Sequence, residues 1–353
     1  MRDALLSRRI TCGPLCRELE SALAARLGVA DTVVTTSGSI AVQLALLAHG
    51  VGPGDEVVVP ALGFVATAHA ALLLGASVRL ADVCADRPTV DPDAVARALG
   101  PRTKAVVAVH LNGRAVDLDG LRDVTGPRGV PVVEDAAQAF CSRDRHGAYV
   151  GSGGSTAAFS LGLTKLITAG EGGFVATGDA ALADKLRRLR NHGTVAIADN
   201  AFRELGGNFR LTDMAAALGL VQFARLDEKI AGVRRVYARY AAGLEGLDGV
   251  RLLGVEVDAG EVPLWTEVLC ADREAALRAL TAAGIQAKPF HPCLVESPHL
   301  GCDGEFPNAS AFAASGLTLP SGPDQPDEDI DRVVEVLRGI DPAPGSGQAE
   351  DRG

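Results

Sequence analysis

Aromatic residues are scarce in this chain: ten Phe, three Tyr and one Trp make up 4% of 353 residues. An aromatic at a ligand-facing position therefore carries more weight than usual. Basic runs are also missing. There are 34 Lys and Arg against 44 Asp and Glu, a net charge of −10. The most basic stretch, Lys185 to Arg190, reads as the solvated face of a helix, which argues against nucleic acid as a partner. No apolar run is long enough to span a membrane, and Leu72-Leu73-Leu74 reads as the core side of a short helix, so no membrane partner is expected. The N-terminus has charges but no apolar stretch behind them, so no secretion signal is expected and a cytoplasmic location is. The seven cysteines, at 12, 16, 84, 141, 270, 293 and 302, are an odd and scattered set, read as free thiols. Cys12 and Cys16 could sit one turn apart on a helix. No second pair or His cluster completes a zinc site, so no metal is expected.

What is present is an alternation. Thr32–Thr36, Glu56–Val59, Val78–Ala81, Lys104–His110 and Val130–Glu134 read as apolar strands. Ser39–His49, Val65–Leu74, Pro92–Leu99 and Leu118–Thr125 read as the helices between them. Continuous apolar strands alternating with helices indicate a parallel sheet covered on both faces, an α/β fold. Strand-like Ala157–Ser160 and Gly173–Thr177 follow, then a helix over Ala180–Arg190 and one or two helices over Thr212–Leu244. After that the pattern changes. Strands are expected at Val250–Leu253, Thr266–Cys270 and Ile285–Lys288, with helices at Arg273–Ala283 and Glu328–Leu337. The expected division is a large domain over 1–230, a small α+β domain over 231–341, and a disordered Pro-, Gly- and charge-rich tail over 342–353.

One carboxylate and one lysine stand out. The apolar strand Val132-Val133-Glu134 delivers Asp135 at its end, followed by Ala136-Ala137-Gln138. Ser160 and Lys165 follow on the next strand and turn, before the loop Ala169-Gly170-Glu171-Gly172-Gly173. That combination is what pyridoxal phosphate chemistry requires: a lysine for a Schiff base with the aldehyde and an acid for the pyridinium nitrogen. Taken alone, Asp135 could merely cap a helix starting at Ala136, and Lys165 could be a surface lysine. The apolar neighbours Leu161, Leu163, Leu166 and Ile167 and the tight glycine loop favour the chemical reading, because desolvation makes an amine nucleophilic. Thr36-Ser37-Gly38-Ser39, between a strand and a helix, suits an anion, although such a turn is often only an N-cap. Phe64 at another strand end could stack on a flat ring or belong to the core. His110, also at a strand end, could reach the site or be a satisfied buried residue.

These residues, in this order, resemble the DegT/DnrJ/EryC1/StrS aminotransferases, pyridoxal phosphate enzymes of fold type I. The matching segments are Ser37-Gly38-Ser39, Gly52-Pro53-Gly54-Asp55-Glu56-Val57, Phe64-Val65-Ala66-Thr67, Pro101-Arg102-Thr103-Lys104-Ala105 and Val109-His110-Leu111. Val133 to Gln138, Thr164-Lys165, Gly170-Glu171-Gly172-Gly173, Leu189-Arg190-Asn191-His192-Gly193 and Gly207-Asn208-Phe209-Arg210 continue the series. Phe290-His291-Pro292 and Leu317-Thr318-Leu319-Pro320 match more loosely.

The resemblance implies a mostly parallel seven-stranded sheet between helices, with Lys165 as the Schiff-base lysine and Asp135 as the pyridinium partner. It places Gln138 by the cofactor ring, Phe64 stacked on it, and Gly38, Ser39 and Ser160 at the phosphate. Asn208 matches a position inserted into the neighbouring subunit's phosphate site, which implies a homodimer with shared active sites. His110, His192, Arg210 and His291 are the expected substrate contacts. The implied reaction moves an amino group from glutamate or glutamine to a keto sugar or cyclitol ketone. Ser160-Leu161-Gly162-Leu163-Thr164-Lys165 lacks the aromatic or Gln frequent before the lysine, which implies a stripped, enlarged pocket. Thr168-Ala169-Gly170-Glu171-Gly172-Gly173 is closer to the branch acting on cyclitol ketones and aminobenzoate precursors. A dehydratase branch has His where Lys165 stands. Elimination or replacement chemistry on another small amino or keto acid, and a non-catalytic cofactor-binding role, remain open on the residues alone.

Overall fold

The computed structural model describes residue 6, residues 10–153 and residues 156–340, without the Asp199 side chain. The expected disordered tail over 342–353 lies outside the described residues. The first helix, α1 (Pro14–Leu27), buries Cys16, Leu19, Leu23 and Leu27 at helical spacing and ends on Gly28 in the left-handed conformation. The alternation then follows as β1 (Asp31–Thr35), α2 (Gly38–Ala48), β2 (Glu56–Pro60), α3 (Ala66–Leu73), β3 (Ser77–Ala81) and α4 (Pro92–Ala98). It continues as β4 (Thr103–Val109), α5 (Leu118–Thr125), β5 (Val132–Asp135), β6 (Thr156–Ser160), β7 (Gly173–Thr177) and α6 (Ala180–Arg190). Side-chain caps start many of these helices: Ser37, Asp91, Asp117 and Asp179 each accept from first-turn backbone N–H groups.

The seven strands form one sheet in the order β1-β7-β6-β5-β4-β2-β3. Six run parallel; β7 is antiparallel to both its neighbours. The reversal has a local cause. No helix lies between β6 and β7, only the lysine loop, so the chain turns straight back. Strand alternation sends side chains to opposite cores. Val57, Val59, Val107, Val109 and Val133 face α2, α3 and α6, while Val58, Val106, Ala108 and Val132 face α4 and α5. On the latter side of β1, β6 and β7, Val34, Ala157, Phe159 and Phe174 pack with α1. The carboxyl ends of the parallel strands therefore gather at one edge of a sheet covered on both faces, the place where such sheets hold ligands.

Two helices, α7 (Asp213–Phe223) and α8 (Leu226–Leu244), leave this layer. The remaining elements are β8 (Val250–Leu252), β9 (Thr266–Cys270), α9 (Arg273–Ala282), β10 (Lys288–Pro289), α10 (Pro307–Ser315), β11 (Gly316–Leu319) and α11 (Asp327–Arg338). They build an antiparallel sheet, β10-β11-β9-β8, with its own core from α8, α9 and α11. One expectation is corrected here. The strand expected at Ile285–Lys288 is only the two-residue edge β10, paired through Lys288 and Pro289 to β11. Part of the segment after α8 also packs on the first sheet. Phe290, Cys293, Leu294, Leu300, Ala309, Phe312 and Ala313 join the core of the large sheet, and Leu269 of β9 packs against the same cluster.

Candidate active site

Asp135 ends β5 with 8% exposure. Burial of a carboxylate requires partners, and it has two. Oδ2 accepts from the Thr67 hydroxyl at 2.6 Å and Oδ1 from the Ala137 N–H at 3.1 Å. Thr67 is in the first turn of α3, three residues after Phe64, so both project from the same stretch of chain toward the strand ends. Lys165 lies in the loop after β6, its backbone N–H donating to Gly162 C=O at 3.1 Å. Burial lowers its ammonium below the ordinary value of 10.5, and the Asp135 charge opposes that shift. Desolvation thus favours the neutral amine and the nearby carboxylate favours the ammonium. Its Nζ stands 5.2 Å from the ring centroid of Trp265.

Lys165 is in the wall of a cavity of about 1040 Å³ between the large sheet and the second sheet. Phe64, Gln138, Leu163, Trp265 and His291 share that wall. Phe64 is 56% exposed, an open aromatic face rather than a core residue. His291 stands 6.0 Å from it, ring to ring. Burial, and secondarily the Lys165 charge, hold the His291 imidazole below its ordinary value of 6.5. On the other side of the lysine loop, the N-terminus of α2 meets β6. A Cβ on Gly38 would come within 2.7 Å of Ser160 Cβ, and a Cβ on Gly173 within 2.5 Å of the Ser37 carbonyl. Only glycines let this helix end reach the strand, and Ser39 is exposed there.

Three expected substrate contacts lie away from this cavity. His110 is wholly buried, so it does not face the cavity, contrary to the expected substrate contact. Its Nδ1 accepts from the Val116 N–H at 3.1 Å, which leaves Nε2–H to donate to Glu134 at 3.0 Å. The cause is strand alternation: Glu134 points to the face opposite Asp135, and His110 answers it there. His192 and Arg210 do not line the cavity of their own chain, and neither does Asn208, whose expected place is the neighbouring subunit's phosphate site. Asn208 forms an isolated bridge with Asn191, whose side chain accepts from Arg210, and the His192 N–H donates to Gly207 C=O at 3.0 Å.

The sequence profile of the DegT/DnrJ/EryC1/StrS aminotransferase family matches residues 1–338. The chain belongs to that family. The GDP-perosamine synthase of Caulobacter vibrioides is 37% identical over 330 residues, 91% of this chain and 88% of that protein. The dTDP-3-amino-3,4,6-trideoxy-alpha-D-glucose transaminase of Streptomyces venezuelae is 37% identical over 350 residues, 95% of this chain and 91% of that protein. Among solved structures, S. venezuelae DesV superposes with a TM-score of 0.89 at 35% identity, covering 96% of this chain and 92% of DesV. A 3-amino-5-hydroxybenzoic acid synthase superposes at 0.88 with 30% identity, covering 95% and 93%. The expected fold type I architecture, aminotransferase class and pyridoxal phosphate dependence therefore stand.

The residues of this aminotransferase fit the cofactor. A desolvated amine, a carboxylate held by Thr67, an open phenyl face and a glycine-shaped helix N-terminus beside two serines match its aldehyde, ring nitrogen, ring and phosphate. Three residues at the site had no role in the sequence reading. Thr67 was visible within the Phe64–Thr67 run, at helical spacing from Phe64. Trp265 carried a signal in being the single tryptophan. Asn112, described below, carried none.

Proposed function

We propose that this aminotransferase takes an amino group from glutamate or glutamine and delivers it to the ketone of a sugar or cyclitol in a sugar or secondary-metabolite pathway. The observation that carries the reading is the Lys165 amine, partly desolvated and facing Asp135, in the wall of a cavity with room for a substituted ring. Bound there, pyridoxal phosphate supplies the electron sink that makes a proton on the amine-bearing carbon labile. Lys165 Nζ would move that proton, taking it from the donor's α-carbon and returning one to the acceptor. The Asp135 carboxylate, aimed by Thr67, would keep the ring nitrogen protonated. Phe64 would cover the ring, Gln138 would flank it, and Gly38, Ser39 and Ser160 would hold the phosphate. The relatives' names, a perosamine synthase and an aminosugar transaminase, support a sugar acceptor. The similarity to 3-amino-5-hydroxybenzoic acid synthase supports a carbocyclic one.

The reading includes a homodimer with shared sites. Leu163, Val195, Phe202 and Leu205 are large apolar side chains 58–82% exposed. Three of them lie in the same loop region as His192, Asn208 and Arg210, which miss their own chain's cavity. A second copy covering this surface would bury those side chains and receive Asn208 at its phosphate site.

The test is an absorption spectrum of the purified protein before and after L-glutamate, then L-glutamine. Loss of the cofactor's visible band with one of them establishes the first half-reaction and identifies the donor. A band that neither changes sinks the donor assignment. Lys165→Ala should lower turnover by about 10²-fold or more.

A further inference from the structure

Asn112 sits where the two sheets meet. It lies in the turn Leu111–Gly113 after β4, fully buried, with a φ of 51° that asparagine tolerates better than most residues. At the next residue, Gly113 (φ 85°), a Cβ would stand 2.0 Å from the Val262 carbonyl oxygen. The turn is therefore pressed against the segment that leads into β9. The Asn112 carboxamide oxygen accepts from the Trp265 N–H at 2.7 Å, and its nitrogen donates to the Trp265 C=O at 2.9 Å. One side chain thus pairs both backbone groups of one residue, as a neighbouring strand would. The Asn112 backbone N–H donates to Gln138 Oε1 at 3.0 Å. Gln138 and Trp265 both line the cavity with Lys165, and the Lys165 amine stands over the Trp265 ring. One buried asparagine therefore sets two walls around the amine without touching it.

We propose that Asn112 is a positioning residue for transamination, holding the Trp265 ring against the Lys165 amine and Gln138 beside the same site. The ring shields one side of the amine from water, and its face attracts the ammonium form. Displacing such a wall by about 1 Å can cost about 100-fold in rate. Neither alanine nor aspartate can replace the carboxamide. Alanine leaves both Trp265 groups unpaired, and aspartate sets a carboxylate oxygen against the Trp265 carbonyl. The proposal rests on Lys165 being the reactive amine.

Because Trp265 is the only tryptophan, its emission reports the wall directly. The experiment compares emission maximum and kcat/KM of the holoenzyme with those of Asn112→Ala, Asn112→Asp and Trp265→Phe. The expected result is a red-shifted emission with kcat/KM reduced about 10–100-fold in Asn112→Ala. Asn112→Asp keeps an acceptor for the Trp265 N–H but sets a buried carboxylate oxygen against the Trp265 C=O, and should show changes at least as large in the same directions. Trp265→Phe keeps both backbone bonds to Asn112, and should lose activity while folding normally. Emission shifted without loss of kcat/KM, or loss without a shift, overturns the proposal. If neither Asn112 variant folds, Trp265→Phe decides: wild-type kcat/KM there overturns the proposal by itself, and a loss of kcat/KM in the folded variant supports it. Lys165→Ala is run alongside: retained turnover there would remove the assignment of the amine, which the emission of the Asn112 variants does not depend on.

Discussion

Asp135 is held by Thr67 as much as by its own strand. The Thr67 hydroxyl is a buried donor to a carboxylate, a bond worth about 1.5–3 kcal/mol. Thr67→Val keeps the shape and removes the donor, and should lower kcat/KM about tenfold or more. Thr67→Ser should retain most of it. Equal kinetics for the two variants would show that the hydroxyl does not orient the carboxylate. Lys165 gives a pH prediction. Its folded value is lowered, so between that value and 10.5 the unfolded chain binds more protons than the folded one. Stability of the cofactor-free protein must then rise with pH across that window. Lys165→Met has no buried charge to relieve. At neutral pH it should be more stable than wild type, and its advantage should shrink as pH approaches 10.5. Urea midpoints of both proteins against pH read this; a constant gap means the ammonium is not penalised. His291 is lowered in the same sense, so its contribution to stability falls as pH drops from 6.5 toward its folded value.

At the scale of elements, the site depends on how the second sheet is joined to the first. Arg114, wholly buried just after the Asn112 turn, donates to Glu267 on β9 at 2.7 Å and to the carbonyls of Gly254 and Leu253 at 2.8 and 2.9 Å. Glu267 is itself only 3% exposed and lines the cavity. Removing one partner of such a pair leaves the other buried and uncompensated. Arg114→Leu should therefore cost about 3–5 kcal/mol in urea unfolding, and adding Glu267→Leu should recover much of it. If the double variant were no more stable than the single one, the cost would come from the two lost carbonyl bonds instead. The elements themselves were largely legible. Leu118–Thr125, Gly173–Thr177, Ala180–Arg190 and Thr266–Cys270 have the expected bounds. Apolar strands buried on both faces and helices opened by Asp caps announce themselves locally. α1, α10 and β11 were not read as elements. α10 and β11 are short, and their packing against distant strands, not periodicity, holds them.

For the whole molecule, the test is whether one site needs two chains. Mixing Lys165→Ala with Asn208→Ala and allowing exchange should restore activity that neither protein has. A mixed dimer would contain one site with its own Lys165 and the partner's Asn208, both intact. No recovery despite demonstrated exchange would mean that Asn208 serves its own chain. The sheet order, with β7 reversed between β1 and β6, is what gathers Gly38, Thr67, Asp135 and Ser160 at one edge from four separate stretches of chain.

The sequence by itself determined the kind of chemistry. Lys165, Asp135, Ser160 and the glycine loop are read from local motifs, because a strand end, a tight turn and an apolar run around a lysine are short-range facts. It also determined most of the alternation of strand and helix, which depends on residue type and period alone. Only the tertiary structure decided which neighbours those residues have. His110 and Glu134 turned inward as a buried pair because strand alternation put them on the face opposite Asp135. Thr67 reached Asp135 and Trp265 reached Lys165 across 68 and 100 positions of chain. Such contacts follow from how sheets stack and turns press together, and no local pattern encodes them.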